Sequence, residues 1–373
     1  MTISFLCKVV DNFGDIGVVY RLSKQIAEIS PNNKINLIVD DLDSFNKICN
    51  EVKRNQDYQF VQKLHIFNWH SFDFCFNYFL KNDGEELETI IECFQCGRPD
   101  WMEQILFEKK LERTVKIIML DYLTAEDYAE TFHCMESLTR SKKVQKVNFM
   151  PGFTNKTGGL IIDNLWRDIK PRNPNGPILF FTYEKNFYPY FKALNKWFIE
   201  NSIDRNVLVA QGKGKQSFMD CYKSLNKKEK FGLTELDFIN QNEWDVMMQS
   251  CSILVIRGEE SMARACLSGI PFVWNAYPQS EEYQLVKVQA LLEKMRPYFS
   301  KDDFCIIEKF WILFNTKEND VSIEELEFSF FKFLKNSDKI SYGFKDFSIA
   351  LRKNGDLATN LMTYIEKNAI MLS

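Results

Sequence analysis

Histidine is scarce in this chain: His65, His70 and His133 are the three it has in 373 residues. Zinc sites draw on histidines and paired cysteines at short spacing. Cys93-x-x-Cys96 is the one close cysteine pair, and it lacks both a second pair and a neighbouring histidine. No metal or redox centre is expected from it, and the two thiols are expected to pack in a helix. Long apolar runs are missing as well. No stretch reaches the roughly 18 apolar residues that a membrane span requires. The first ten residues carry no basic leader, and Asp11 ends their apolar run too soon for a secretory signal. Ten cysteines without such a leader read as reduced thiols, so a cytoplasmic location is expected. Cations are not in excess: 47 Lys and Arg face 51 Asp and Glu, for a net charge of −4. A nucleic-acid binder normally shows a basic face, so no direct nucleic-acid partner is expected. Neither an internal repeat nor a low-complexity tract is visible.

What the chain does have is aromatic and periodic. Aromatics make up 14%, with 33 Phe. Most must be core, and some could offer flat surfaces to a ring-shaped ligand. A chain of this length suggests two domains. Residues 1–160 alternate strand-like and helix-like segments. Strands are expected at Ile3–Val10, Ile35–Val39, His65–Phe67 with Trp69, Asp73–Phe76 and Val115–Leu120, and helices at Ile16–Ile29 and Glu85–Cys93. Such alternation is the βαβ rhythm of a parallel sheet. Lys170–Pro177 holds three prolines and a glycine and reads as a linker. The rhythm restarts with strands at Ile178–Thr182, Arg205–Ala210, Cys251–Ile256 and Pro271–Trp274, helices at Tyr188–Glu200 and Ser261–Leu267, and a short apolar run at Leu236–Ile239. Gly269-Ile-Pro271 is a helix stop. Residues 301–373 read mostly as helix. The expected division is 1–170, 177–345 and a helical segment 346–373 that could pack across the two α/β domains, with a ligand cleft between them.

Two loops carry chemistry. Asp11-Asn12-Phe13-Gly14-Asp15 follows the first strand and precedes the first helix. Open α/β sheets place ligands at the carboxyl ends of their strands. A phosphate loop there would avoid acid, so two aspartates point to a cationic group or to a need for a base. Asp15 as a helix cap and Asp11 as a turn brace explain the same residues. The second loop is Arg257-Gly258-Glu259-Glu260-Ser261, between the strand ending at Ile256 and the next helix. A helix N-terminus offers unpaired N–H groups and the positive dipole end. Gly258 allows close backbone approach, Ser261 can donate, and Arg257 can meet phosphate or pair with Glu259 or Glu260. The competing reading is a simple helix start with Ser261 as N-cap. Phe181 and Tyr183 end the first strand after the linker, and Phe238, Gln241 and Trp244 sit about one strand upstream of Arg257; a base could stack on such aromatics, though each is more often core than pocket.

Cys7–Gly17, which contains the acidic loop, resembles the opening of the EarP family of protein-arginine rhamnosyltransferases. Asp121–Asp127, Pro151–Leu160, Arg257–Ser261 and Pro271–Gln279 resemble further segments of that family, so the likeness spans most of residues 5 to 290. It implies an α/β GT-B fold, two Rossmann-like domains facing across a cleft. It also implies inverting transfer of rhamnose from dTDP-β-L-rhamnose to an arginine of translation elongation factor P, with no metal and no cofactor beyond the donor. Position by position, Asp15 matches the family's proposed base and Asp11 the second aspartate, which holds the guanidinium. Asn12, Phe13 and Gly14 form the loop between them. Glu259 matches the essential glutamate on the donor side, and Arg257, Glu260 and Ser261 match positions around the diphosphate and sugar. Phe181, Tyr183, Phe238 and Gln241 match the nucleotide pocket. Trp244 stands where the family can carry Phe, Glu260 replaces a common Asp, and Asn275 stands where members can have His.

The residues suit that chemistry. A guanidinium keeps its proton to above about pH 12. Carboxylates can bind and orient it by paired hydrogen bonds, and one can take the proton as the C–N bond forms. Two other readings stand beside this one: a GT-B transferase with another acceptor, or a non-catalytic protein that binds a nucleotide sugar. A lipid acceptor would leave an apolar or basic membrane-facing patch, and no such stretch is clear. A mere binder would not need a base.

Overall fold

The computed structural model describes residues 1–10, 14–81, 87–109, 111, 113–202 and 205–370, the side chains of 368–370 excepted. Asp11, Asn12 and Phe13 lie outside the described residues. The chain forms two units, Met1–Asp163 with Asn354–Ser373, and Asn164–Lys353.

Unit 1 is built on a sheet of eight strands. Its central strand β1 (Thr2–Cys7) pairs in parallel with β2 (Lys34–Val39) on one side and, across the sheet, with the strand Thr89–Cys93 on the other. Alternation along β1 serves two cores. Ile3, Phe5 and Cys7 pack with α1 (Gly14–Ile29), while Leu6 joins Trp101 and Phe79 on the opposite face. Each large side chain buried this way contributes about 1.5–3 kcal/mol. The strand stops at Cys7 and does not reach Val10: its pairing with β2 ends at Val39, the partner of Cys7, and its pairing on the other side ends at Leu6 with Glu92. Val10 is 75% exposed.

Beyond α2 (Leu42–Ile48), the sheet grows outward through β3 (Tyr58–Val61) and β4 (Leu64–Asn68), β4 lying beside β2. The run Asp73–Phe76, expected as a strand, is part of helix α3 (Phe72–Leu80). Cys75 and Phe79, four residues apart, are both buried, and Phe79 stacks on Trp101 at 5.0 Å. Tertiary packing overrides the strand preference of the aromatics. Conversely, Glu85–Cys93, expected as a helix, yields strand β5 (Thr89–Cys93) between β1 and β6 (Val115–Leu120), with α4 (Asp100–Phe107) connecting β5 to β6; residues 85 and 86 lie outside the described residues. A parallel strand buried on both faces shows no alternation, so its short apolar run mimics a helix. Cys93 therefore ends a strand, and Cys96 follows a turn rather than sharing a helix with it. After α5 (Tyr128–Phe132), the antiparallel pair β7 (Glu136–Ser137) and β8 (Val144–Phe149) completes the order β3-β4-β2-β1-β5-β6-β8-β7.

Unit 2 carries a five-stranded parallel sheet of β9 (Ile178–Phe181), β10 (Val207–Val209), β11 (Leu233–Glu235), β12 (Ile253–Arg257) and β13 (Phe272–Asn275), in the order β11-β10-β9-β12-β13. Helices α6 (Tyr188–Asn201), α7 (Lys215–Ser224), α8 (Gln241–Ser250) and α9 (Glu259–Ser268) connect the strands, and α10 (Tyr283–Met295), α11 (Lys301–Asn315), α12 (Ile323–Lys335) and α13 (Ser337–Lys353) follow. The apolar run Leu236–Ile239 is not itself a strand; β11 ends just before it.

The unit boundaries differ from the expected 170, 177 and 346. Proline-rich Lys170–Pro177 is fastened within unit 2. The Arg172 guanidinium donates to Ser252 O at 3.2 Å and to Asp338 at 2.7 Å. The final helix α14 (Leu357–Ile370) belongs to unit 1, where Leu357, Ala358, Leu361, Met362 and Ile365 pack with Ile16, Val19, Leu22 and Ile26 of α1. Leu357 N–H donates to Leu160 O, and Ile162 N–H to Asp356 Oδ1.

Both sheets have a switch point. In unit 1 the chain builds from β1 toward β2 and later from β5 in the other direction. In unit 2 it builds from β9 toward β10 and later from β12 outward. The crevices at the carboxyl ends of β1 and β5, and of β9 and β12, are where open α/β sheets take ligands.

Candidate functional site

In unit 1, Asp15 occupies the first turn of α1 at the switch point, and it is buried to 3% exposure. Its Oδ2 accepts from Val10 N–H at 2.8 Å and its Oδ1 from the Tyr122 hydroxyl at 3.1 Å. The carboxylate is thus held by the segment after β1 and by the segment after β6. Gly14, the first residue of α1, is exposed. Asp40, at the end of β2, accepts from Val9 N–H at 2.8 Å, and burial pushes its carboxyl upward.

Three thiols line this end of the sheet. Burial pushes Cys7 well up, with the charge of Asp15 adding to it, and Cys93 is also raised by burial. Cys96 is raised to about 12, mainly by burial. They are neutral at physiological pH and are poor candidates for thiolate ligands. Among the described residues, no group of three or more His, Cys, Asp or Glu is placed to hold a metal ion. A cavity of about 240 Å³ lies beside Asp121, lined also by Gln95, Tyr128, Phe132 and Asn148.

In unit 2, Phe181 ends β9 and Arg257 ends β12. The Arg257 guanidinium lies over the rings of Phe181 at 4.8 Å and Tyr183 at 4.7 Å. Trp244 meets Phe181 edge to face at 5.0 Å. The structure therefore brings Phe181, Tyr183, Trp244 and Arg257 together. Gln241 opens α8, three residues before Trp244, so the two share a helix face. Phe238 lies on the segment leading into α8 and is 54% exposed.

Helix α9 starts two residues earlier than Ser261. Gly258 is its N-cap, with φ +75 and ψ 150, and Glu259 and Glu260 fill its first turn. Such a backbone suits glycine. Glu259 lies 3.9 Å from Lys287 Nζ. Glu260 lies 3.2 Å from Nε of the buried Arg264, one turn on, which is where its longer side chain reaches. Ser261 is buried in the third helical position.

Sequence reasoning assigned no site role to several contributors. Asn275 accepts from Tyr183 N–H at 2.9 Å and so fixes the ring beside Arg257. Tyr277 meets Tyr183 edge to face at 5.3 Å, and Lys213 lies over Tyr277 at 5.5 Å. The loop Gln211-Gly-Lys-Gly-Lys215 was not singled out, although two glycines directly after a strand are a turn signal. Phe94 and Tyr122, stacked at 4.4 Å in unit 1, were given no role either, although Tyr122 lies in the Asp121–Asp127 segment that resembles the family.

The family described as Elongation-Factor P (EF-P) rhamnosyltransferase EarP matches residues 3–175 and 167–366. The chain belongs to the EarP family. A relative from Shewanella oneidensis named protein-arginine rhamnosyltransferase is 27% identical, over 97% of this chain and 97% of its own length. One of the same name from Pseudomonas aeruginosa is 26% identical, over 83% of this chain and 85% of its own. Among solved structures, one described as the structural basis for EarP-mediated arginine glycosylation of translation elongation factor EF-P superposes with a TM-score of 0.61 at 18% identity, covering 98% of this chain and 99% of the other. A UGT2 from Phytolacca americana, complexed with UDP-2fluoro-glucose and pterostilbene, superposes with a TM-score of 0.55 at 10% identity, covering 98% of each chain. These structural likenesses show the fold, the α/β architecture of GT-B glycosyltransferases with two Rossmann-like units. Among the described residues of this EarP-family chain, no helix is long and apolar enough to cross a membrane.

Proposed function

We propose that this chain transfers L-rhamnose from dTDP-β-L-rhamnose to the guanidinium of an arginine of translation elongation factor P, with inversion at the anomeric carbon. The observation that carries the reading is the buried Asp15 carboxylate, held on both oxygens at the switch point of unit 1, in a chain of the EarP family.

Asp15 is assigned as the base and Asp11 as its partner in holding the guanidinium. The arginine nitrogen attacks the anomeric carbon, the C–N bond forms, and the bond from that carbon to the diphosphate oxygen breaks. The proton released from nitrogen passes to Asp15, and dTDP leaves with the electron pair. A carboxylate cannot deprotonate a resting guanidinium far, but the nitrogen becomes acidic as the new bond forms. The leaving diphosphate is assigned to Arg257, Ser261 and the N-terminal N–H groups of α9, with no metal or cofactor invoked. Phe181, Tyr183, Phe238, Gln241 and Trp244 are assigned to the nucleotide, and Glu259 and Glu260 to the sugar side. All ten cysteines are unpaired, which supports a cytoplasmic location for the reaction.

Asp15→Asn separates catalysis from binding. Affinity for dTDP-rhamnose, measured by calorimetry, is expected to stay within about twofold, while transfer falls by about 10²- to 10⁴-fold. Transfer at the wild-type rate would remove Asp15 as the base.

A further inference from the structure

We infer that Tyr122 is a positioning residue for Asp15, fixing the plane of its carboxylate through a hydroxyl that a stacked Phe94 holds in place. The inference rests on the reading of Asp15 as the base. A carboxylate can rotate about its terminal torsion unless both oxygens are held. Here Val10 N–H holds Oδ2 at 2.8 Å, and the Tyr122 hydroxyl holds Oδ1 at 3.1 Å. A hydrogen bond to an ionised acceptor is stronger than a neutral one, so the phenol is a substantial constraint.

Tyr122 is itself built into place. Its ring lies on that of Phe94, with centroids 4.4 Å apart and planes 13° apart. Phe94 and its neighbour Gln95 have φ of +57 and +54, a left-handed conformation that residues other than glycine rarely adopt. Such backbone persists where the surroundings over-determine it, and it clusters at functional sites. The surroundings are on view. Phe94 N–H donates to Leu120 O at 2.7 Å, and Tyr122 N–H donates to Asp121 Oδ1 at 2.8 Å. Gln95 Nε2 donates to Asp121 Oδ2 at 3.3 Å. The ends of β5 and β6 are stitched together, and the product is one aromatic pair aimed at one carboxylate. Tyr122 is 38% exposed, and its hydroxyl is nonetheless committed to the Asp15 carboxylate. A ring alone would serve packing.

Tyr122→Phe keeps the stack and removes the hydroxyl. With the full-length protein and elongation factor P as acceptor, kcat is expected to fall about tenfold while KM for dTDP-rhamnose stays within about twofold. Phe94→Leu, which keeps the hydroxyl and loses the stack, should lower kcat in the same sense, with Phe94→Tyr restoring it. A readout free of turnover is the Asp15 carboxyl carbon resonance in protein labelled with ¹³C-aspartate, assigned through Asp15→Asn. It is expected to shift or broaden in Tyr122→Phe. If the wild-type protein glycosylates no elongation factor P, the proposed function falls, and this resonance still decides the role of Tyr122. An unchanged resonance in Tyr122→Phe overturns the inference, as does an active Tyr122→Phe protein with wild-type kcat.

Discussion

A buried carboxylate bound by a main-chain N–H and a phenol is suited to orient a cation and accept its proton, and the partners of Asp15 come from far apart in the chain. Val10 is 5 residues away and Tyr122 is 107. The first was legible in the sequence as a strand–loop–helix; the second was not, because nothing local marks which tyrosine will reach across a sheet. On the donor side, Phe238 is the clearest single-residue test. Stacking of a base on an aromatic is worth about 1–3 kcal/mol by alanine substitution. Phe238→Ala is therefore expected to weaken dTDP binding by about 5- to 150-fold in calorimetry, with elongation factor P affinity unchanged. Equal loss of both affinities would indicate a folding defect instead. His133 supplies a pH prediction. Burial lowers its pKa, and its Nδ1 accepts from Met150 N–H at 3.1 Å, a bond that needs the neutral ring. Below about pH 6.5 the unfolded chain binds a proton that the folded protein resists, so stability falls as pH falls through and below that value. His133→Gln should flatten the decline in denaturation midpoint between pH 7 and pH 5; an equal decline would contradict the assignment.

Elements, rather than residues, decide where the loops point. Helix α9 is capped by Gly258, whose positive φ turns the chain sharply from β12 into the helix and which has open space beside it. Serine in the Arg257–Ser261 run suggested a later cap, but glycine supplied the turn and the glutamates filled the first turn, where the helix dipole favours them. Gly214 acts by closeness instead. A Cβ there would lie 2.6 Å from Tyr183 O and 2.7 Å from Thr182 O, both main-chain atoms. Gly214→Ala is expected to cost about 1–3 kcal/mol in chemical denaturation and to weaken nucleotide binding, because the displaced backbone carries Tyr183. Wild-type stability and binding would show that the end of β9 yields freely. The elements misjudged from sequence, α3 and β5, fail for one reason. Each is an apolar run whose period is hidden, by aromatics on several faces of α3 and by burial on both faces of β5. The amphipathic helix α1 had no such ambiguity.

At the scale of the whole molecule, the chain leaves unit 1 at residue 163 and returns to it at 354. The proline-rich segment looked like the hinge between domains because prolines and a glycine mark irregular backbone. They do not say whether that backbone is packed, and here Arg172 ties it to unit 2. The return of α14 was beyond local reading, since its amphipathic face fits any core. Leu361 is wholly buried against α1. Leu361→Ala is expected to destabilise unit 1 by about 2–5 kcal/mol. Amide hydrogen exchange should rise in β1 and remain unchanged in β12; equal loss in both would contradict the division into units.

The central claim is tested most directly by intact-mass analysis of elongation factor P from the same organism, after incubation with this protein and dTDP-β-L-rhamnose. The account predicts a gain of one deoxyhexose, located by fragmentation on an arginine. No gain, from a folded protein that binds dTDP, would contradict it and leave a GT-B transferase in search of a different acceptor.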